Sequence, residues 1–385
     1  MDLLSAPRGE LTLDRYPPSR DVTLRAWDAA DEYVLDQLET VDAAATTVLV
    51  NDRWGALTAA LTDRDPVSYG DSYVSSLATR ANLERNEIDP DRVSLRSSLE
   101  ALPDRIDLLV VRVPKSLSLL EHQLHRVAPL LHAGSTVVGA GMVKDIHTST
   151  LALFEQILGP TTTSLAKKKA RLIFTRPDAD RTTTGSPWPR TYTLPTGIGA
   201  ASGLTVTQHA GVFSSERLDI GSRFLLENLP DRQGGDHVVD LGCGNGVLGL
   251  AAGLANPRAV VTFVDESSLA VAAAEATYRA HIRPEREARF VVGDGLLALA
   301  DGPPLERGSV DLVLNNPPLH THKSRSDETA WRMFHESRNT LRPGGELWVV
   351  GNQSLGYHAK LKRLFGNYTT VASNRKFVIL RAVRT

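Results

Sequence analysis

Short apolar runs recur along the chain, each ending in glycine or polar residues and followed by a longer stretch with apolar positions at helical spacing. In the second half, "DHVVDLGCGNGVLGLAAGLA" reads as strand, glycine loop and helix, and "AVVTFVDES" as the next strand. "ARFVVGDG", "VDLVLNNPP" and "GGELWVVGN" follow as further strands, with helices over "SSLAVAAAEATYRAHI" and "DETAWRMFHESRNTL" between them. Uninterrupted Val/Leu runs alternating with helices predict a mostly parallel α/β sheet covered on both faces, with ligands at the C-terminal ends of its strands.

The first half echoes the series in "ATTVLVNDRWGALTAAL", "PVSYGDSYVSSLATRANLERN", "IDLLVVRVPKSLSLLEHQL" and "GSTVVGAGM". In this reading Asn51 and Asp52 fall where the second half has Val239 and Asp240, and "LLVVRVPKS" falls where it has "LVLNNPPLH". The pattern predicts a duplicated fold, two tandem Rossmann-like α/β domains, whose first copy has lost the loop chemistry. Trp54 stands where glycines would leave space. Between the halves, "TRPDADRTTTGSPWPRTYTLPTG" is dense in Pro, Gly, Thr and Arg and reads as a connector. The expected organisation is a degenerate domain over 1–180, a linker over 181–197 and a catalytic domain over 198–385.

A chain of 385 residues exceeds what one core usually organises, which agrees with two domains. The single cysteine, Cys243, excludes an internal disulfide framework and a cysteine-rich zinc site, and reads as an inert filler. No apolar run reaches membrane-spanning length and the start lacks the order of a signal peptide, so no membrane association and a cytoplasmic location are expected. The formal charge of −2 decides nothing about partners, since a nucleic-acid enzyme needs only a local basic patch.

Asp240, Gly242, Gly244 and Gly246 form the sharpest local signal. Glycine permits positive φ and close approach of a ligand to backbone, and the helix that follows offers unbonded amides. An acidic residue ahead of the loop would repel a pyrophosphate but suits the cationic amino-acid end of S-adenosylmethionine. A dinucleotide is the rival: Gly244, Gly246 and Gly249 satisfy G-x-G-x-x-G, and Asp265 stands at about the distance a ribose-binding acid requires. We favour the methyl donor. Asp265, ending the second strand, is then placed to accept the ribose hydroxyls, and Asp294, ending the third, the adenine amino group. A turn or capping carboxylate is the alternative for each.

The fourth strand ends in Asn315, Asn316, Pro317 and Pro318. Prolines cannot continue a ladder, so a carbonyl and an amide are left at a rigid corner beside the donor. The Asn316 side-chain oxygen and the Pro317 carbonyl can then both accept from one amino group. Such a nitrogen has its lone pair delocalised into a π-system, and gripping its hydrogens favours pyramidalisation and orients the lone pair. A plain turn is the structural alternative.

This order resembles class I S-adenosylmethionine methyltransferases of the N-P-P-[FYW] type, which modify planar nitrogens. More narrowly, "GVFSSERLDIGSRFL", "DLGCGNGVLGL", "LNNPPLH", "NRKFVILRAV" and, in the first half, "DIHTSTLALFEQILGPTTTSLAKKKARL" resemble the ribosomal RNA large-subunit methyltransferase G family over nearly the whole chain. The resemblance implies a cofactor-free first copy used in RNA binding and folding, and methyl transfer to the exocyclic 2-amino group of a guanine in 23S rRNA before ribosomal proteins cover it. It implies Asp240, Gly242, Gly244, Gly246, Asp265, Asp294 and Asn316 as cofactor residues, Phe213 and Asp219 as part of a flap over the cofactor, and Asn316, Pro317, Pro318 and the residue after them as the target clamp. That last residue is Leu319 where the family carries an aromatic ring, so apolar contact replaces stacking. Phe213 and Trp331 are candidate substitute faces.

A base inside a duplex is unreachable, so the target is flipped out or unpaired. Lys167, Lys168, Lys169 and Arg171 form the clearest basic run, and His322, Lys323 and Arg325 follow the corner; each is a candidate phosphate contact, with a solvated face as the alternative. His320 and His322 lack a third ligand cluster, so no metal is expected. The expected partner is ribosomal RNA and the expected state a monomer. Two other functions compete: methylation of small-subunit 16S rRNA, and a catalytically silent RNA-binding assembly factor, which Leu319 and the degenerate first half would suit.

Overall fold

The computed structural model describes residues 3–7, 9–18, 21, 23–38, 45–178, 185–214, 217–318 and 323–385, of which 323–327 by backbone alone. The chain divides into two compact units, Met1–Trp188 and Pro189–Thr385.

The second unit is built on an eight-stranded sheet. Its centre is five parallel strands in the order Ala288–Asp294, Val260–Asp265, His237–Leu241, Val310–Asn315 and Leu341–Asn352. Consecutive residues of these strands point to opposite faces and both faces are covered: Leu312 and Leu314 enter one apolar cluster, Val310 and Val313 the other. That double burial explains runs of Val and Leu without polar alternation. Phe377–Val383 then adds antiparallel to Leu341–Asn352, and Thr369–Ser373 closes that edge; at the other edge Ala298–Leu299 pairs antiparallel with Ala288–Asp294. The antiparallel strands are not among the sequence expectations: Phe377–Val383 is as apolar as the parallel strands but follows the last strand–helix alternation, Thr369–Ser373 is polar-rich, and Ala298–Leu299 is only two residues long.

The first unit repeats the plan over seven strands: Ser94–Ser97, Val67–Gly70, Thr47–Val50, Ile106–Arg112, Leu131–Met142, Ala170–Thr175 and Thr161–Thr163, the last two antiparallel. Helices in both units start on serine caps, Ser72, Ser116 and Ser267 each accepting a hydrogen bond from an amide in the first turn.

The duplication holds, but its register differs from the one expected. Val50 pairs with Val111 as Leu241 pairs with Asn315, and each first strand leads to a left-handed glycine that starts the next helix, Gly55 (φ 77°) and Gly246 (φ 79°). Asn51 and Asp52 therefore stand where the second unit has Gly242 and Cys243, not Val239 and Asp240. Asn51 keeps the positive φ of the position (62° against 72° at Gly242), which asparagine tolerates best after glycine. Arg53 takes the place of Gly244, and its guanidinium stacks on Trp54 at 4.4 Å.

The tract expected to be linker is structured over its described residues 185–197. Trp188 is buried and donates from Nε1 to Glu121 at 2.9 Å, and Arg190–Thr193 forms a hairpin-like pair with Thr205–Gln208. Its Thr content, which reads as loop, serves an antiparallel strand together with Tyr192.

Candidate methyl-transfer site

The parallel strands of the second unit all end on the same side, and Asp240, Asp265, Asp294 and Asn316 stand at or next to those ends. The loop after His237–Leu241 is closed onto the second strand, Gly242 and Cys243 amides both donating to the Val264 carbonyl at 2.8 and 3.0 Å. Its glycines do different work. A Cβ on Gly246 would come within 2.8 Å of Ala274, so this glycine permits close approach of helix Ser268–His281. A Cβ on Gly242 would meet the Met333 methyl at 3.2 Å. A Cβ on Gly244 would meet nothing within 4 Å, and this is the backbone a ligand can approach. Gly249, the third member of the dinucleotide-like pattern, is explained by packing, since a Cβ there would fall 2.2 Å from the Phe263 ring.

Asp240 is 1% exposed. Its Oδ2 accepts from the Gly249 amide at 2.8 Å, whereas Oδ1 is buried with no hydrogen-bond partner among the described residues. Burial, reinforced by the neighbouring Asp265, pushes this carboxyl up to about 8. An orphaned acidic oxygen costs free energy unless a donor satisfies it, and a cationic amine would supply both the hydrogen bond and the charge. Asp265 accepts from the Gly244 amide at 2.9 Å through Oδ2 and from the Ser267 amide at 3.1 Å through Oδ1. It thus ties the open glycine to the second strand and to the start of helix Ser268–His281. Asp294 is 5% exposed and is held by Arg332 at 2.5 Å, an ion pair not foreseen in the sequence. Cys243 is buried, and burial pushes its thiol well up, in keeping with a filler.

At the corner, Asn315 points inward and donates to the Leu241 carbonyl at 2.7 Å, which fastens the fourth strand to the glycine loop. Asn316 turns the other way. Its Nδ2 donates to Asp219 Oδ2 at 3.0 Å and to Ser222 Oγ at 2.9 Å, and Oδ1 accepts nothing among the described residues. A carboxylate only accepts, so Oδ1 cannot take the place of Nδ2 without setting oxygen against oxygen. Asp219 also caps helix Ile220–Leu226 by accepting from the Ser222 amide at 2.9 Å. Pro317 is buried and Pro318 exposed.

Phe213 is 52% exposed, in a segment anchored where Gln208 donates to the Val212 carbonyl and Asn245 donates to Gln208 and Tyr192. Trp331 is half-buried beneath the Arg363 guanidinium, 5.0 Å from its ring. Of the two substitute faces, Phe213 presents the more open ring. Leu319, His320 and His322 lie outside the described residues, as do the side chains of Lys323 and Arg325. Among the described residues no group of three or more His, Cys, Asp or Glu is placed to hold a metal, and no helix is long and apolar enough to cross a membrane.

In the first unit the same region is filled. Arg112 occupies the position of Asn316 and makes ion pairs with Asp28 at 2.9 Å and Asp31 at 3.0 Å, where Asp28 is the counterpart of Asp219. Burial pushes Asp31 up to about 7 despite Arg112. The basic run is also partly consumed: Lys167 pairs with Asp36 at 2.5 Å and Lys168 with Glu32 at 2.7 Å, leaving Lys169 and Arg171. Ser222, Gln208, Asn245 and Arg332 were missed in the sequence, because each acts through a contact distant along the chain.

Comparison with known proteins agrees with this division. Residues 1–179 match the family described as RLMG N-terminal domain and residues 203–381 the Methyltransferase small domain. The Ribosomal RNA large subunit methyltransferase G of Streptomyces griseus subsp. griseus is 56% identical, over 100% of both chains. That of Aeromonas salmonicida is 46% identical, over 99% of each. A T. thermophilus 16S rRNA N2 methyltransferase, RsmC, solved with AdoMet and guanosine, superposes with a TM-score of 0.76, covering 100% of this chain and 98% of its own at 21% identity, which shows a shared two-domain fold. A full-length likeness of this degree, over both units at once, means that the chain belongs to the ribosomal RNA large subunit methyltransferase G family.

Proposed function

We propose that this protein transfers a methyl group from S-adenosylmethionine to the exocyclic 2-amino group of a guanine in 23S rRNA, on RNA not yet covered by ribosomal proteins. The family assignment supports the enzyme class, the donor and the large-subunit RNA. The observation that carries the site is the Asn316 amide, fixed through its nitrogen, with an oxygen that accepts nothing among the described residues, at the end of the strand paired with the one that leads into the glycine loop.

When bound, S-adenosylmethionine supplies an electrophilic methyl group on a sulfonium. The residues present fit it: Asp240 would offer its buried Oδ1, which has no partner among the described residues, to the amino group, Gly244 open backbone, Asp265 a strand-end carboxylate to the ribose hydroxyls, and Asp294 a buried carboxylate to the adenine amino group. Gly242 and Gly246 give the loop its shape, and Phe213 and Asp219 belong to the segment covering it. On the target side, Asn316 Oδ1 and the Pro317 carbonyl accept the hydrogens of the guanine amino group and so turn its lone pair toward the donor. Positioning and electrostatics do this work without a strong base. Leu319 and Pro318 give the base an apolar edge.

The first unit, its counterpart site closed by Arg112, serves as an RNA-binding and folding unit; Lys169 and Arg171 are its candidate phosphate contacts, and His322, Lys323 and Arg325, which follow the corner in sequence, are further candidates. The protein acts in the cytoplasm as a monomer in this reading. The test is to incubate purified protein and labelled donor with deproteinised 23S and 16S rRNA, digest to nucleosides and map the label. N2-methylguanosine at one 23S position supports the proposal. Label confined to 16S rRNA, or RNA binding with no label in either, overturns it.

A further inference from the structure

Resting on that reading of Asn316, we infer that Asp219 and Ser222 are positioning residues for methyl transfer: they hold the Asn316 amide so that its oxygen, and not its nitrogen, meets the target amino group. An asparagine side chain is ambivalent, with a donor and an acceptor at the end of a freely turning bond. A target amino group needs acceptors. With the amide reversed, nitrogen would face nitrogen and the clamp would repel what it must bind. Asp219 Oδ2 at 3.0 Å and Ser222 Oγ at 2.9 Å grip Nδ2 from one short segment, and the Ser222 amide donates at 2.9 Å to the same carboxylate oxygen, so that oxygen is itself held in place. The packing leaves little slack: a Cβ on Gly221 would stand 3.0 Å from Asp219 Oδ2 and 3.4 Å from Asn316 Oδ1.

A scaffolding role competes, because the first unit carries the same link. There Arg112, at the position of Asn316, pairs with Asp28 ahead of helix Ala29–Leu38. The link alone therefore fastens that helix to the fourth strand in both copies. The difference lies in what remains: arginine has only donors, whereas asparagine keeps one acceptor, and the orientation of the link matters only where an acceptor is left to aim.

The two roles separate by experiment. Asp219→Ser keeps a capping oxygen for the Ser222 amide but is too short to reach Asn316. At saturating rRNA and donor, where a change in donor affinity no longer contributes, we expect its kcat to fall at least tenfold. The same substitution in an Asn316→Ala background should cost nothing further. Ser222→Ala should lower kcat less, and Ser222→Thr, which keeps the hydroxyl, should recover it. A crystal structure of Asp219→Ser should show the Asn316 amide turned or in more than one orientation. An undiminished loss in the Asn316→Ala background, or a crystal structure with Asn316 still held as in the parent, overturns the inference. A wild-type protein that methylates neither rRNA would instead overturn the proposed function, and the crystal structure would still decide the orientation.

Discussion

Replacing Asp240 by asparagine should make the protein more stable and less able to bind its donor. The buried carboxyl titrates near 8 in the fold and near 3.8 when exposed. Between those values the unfolded chain has released a proton that the folded one keeps, so stability falls as pH rises from about 4 and levels off once the folded group ionises. At ~1.4 kcal/mol per unit of pKa difference, the ceiling on this penalty at pH 7 is about 4 kcal/mol. Asparagine does not titrate, and its oxygen can still accept from the Gly249 amide. Urea denaturation of both proteins at pH 5 and at pH 8 isolates the effect, since the other raised acids, Asp31, Asp52 and Glu336, contribute equally to each curve. The variant should gain on the wild type by at least ~1.5 kcal/mol between the two pH values, within that ceiling. Calorimetry in buffers of different ionisation enthalpy should show wild type releasing up to one proton at pH 7 on binding S-adenosylhomocysteine, and the variant releasing none while binding at least tenfold more weakly. Parallel denaturation curves, or proton-neutral binding by the wild type, would refute the argument that Asp240 waits for a cation.

The loop glycines should part company: Gly244→Ala, at φ 53° with open space, should cost about 1 kcal/mol and mainly weaken donor binding, while Gly246→Ala, driven into Ala274, should cost clearly more in thermal denaturation. Asn316→Ala should reduce single-turnover methyl transfer by about a hundredfold with donor affinity intact, the scale of one lost oriented hydrogen-bonding group. Arg112→Ala strands Asp31 without its cation and should destabilise the first unit by about 3 kcal/mol, read by urea denaturation of the full chain. Because Lys167 and Lys168 are engaged by Asp36 and Glu32, substituting them should change the salt dependence of rRNA binding less than substituting Lys169 and Arg171 does.

The strands that build the site were legible because they are buried on both faces, so Val238–Val239 and Leu312–Leu314 announce themselves without knowledge of their neighbours. Asp240, Gly244, Asp265 and Asn316 were legible for a related reason: each sits at the end of such a strand, where a polar or glycine residue interrupts an apolar run. Other features are fixed by pairings between distant segments. Ser222 reaches Asn316 and Arg332 reaches Asp294, and neither has a local pattern to mark it. The register of the duplicated half shows the same limit. Matching Asp52 to Asp240 by residue type was natural, yet the pairing of Val50 with Val111 sets Asp52 further along. It then reaches the amide of Thr58 from the position of Cys243, as Asp240 reaches that of Gly249.

The most direct measurement is a crystal structure of the protein with S-adenosylhomocysteine and guanosine bound together. The account predicts the donor's amino group against Asp240, its backbone-facing side along Gly244, and the guanine 2-amino nitrogen within hydrogen-bond distance, about 3 Å, of Asn316 Oδ1. A guanine held by other atoms, or an Asn316 amide presenting its nitrogen to the base, would contradict it.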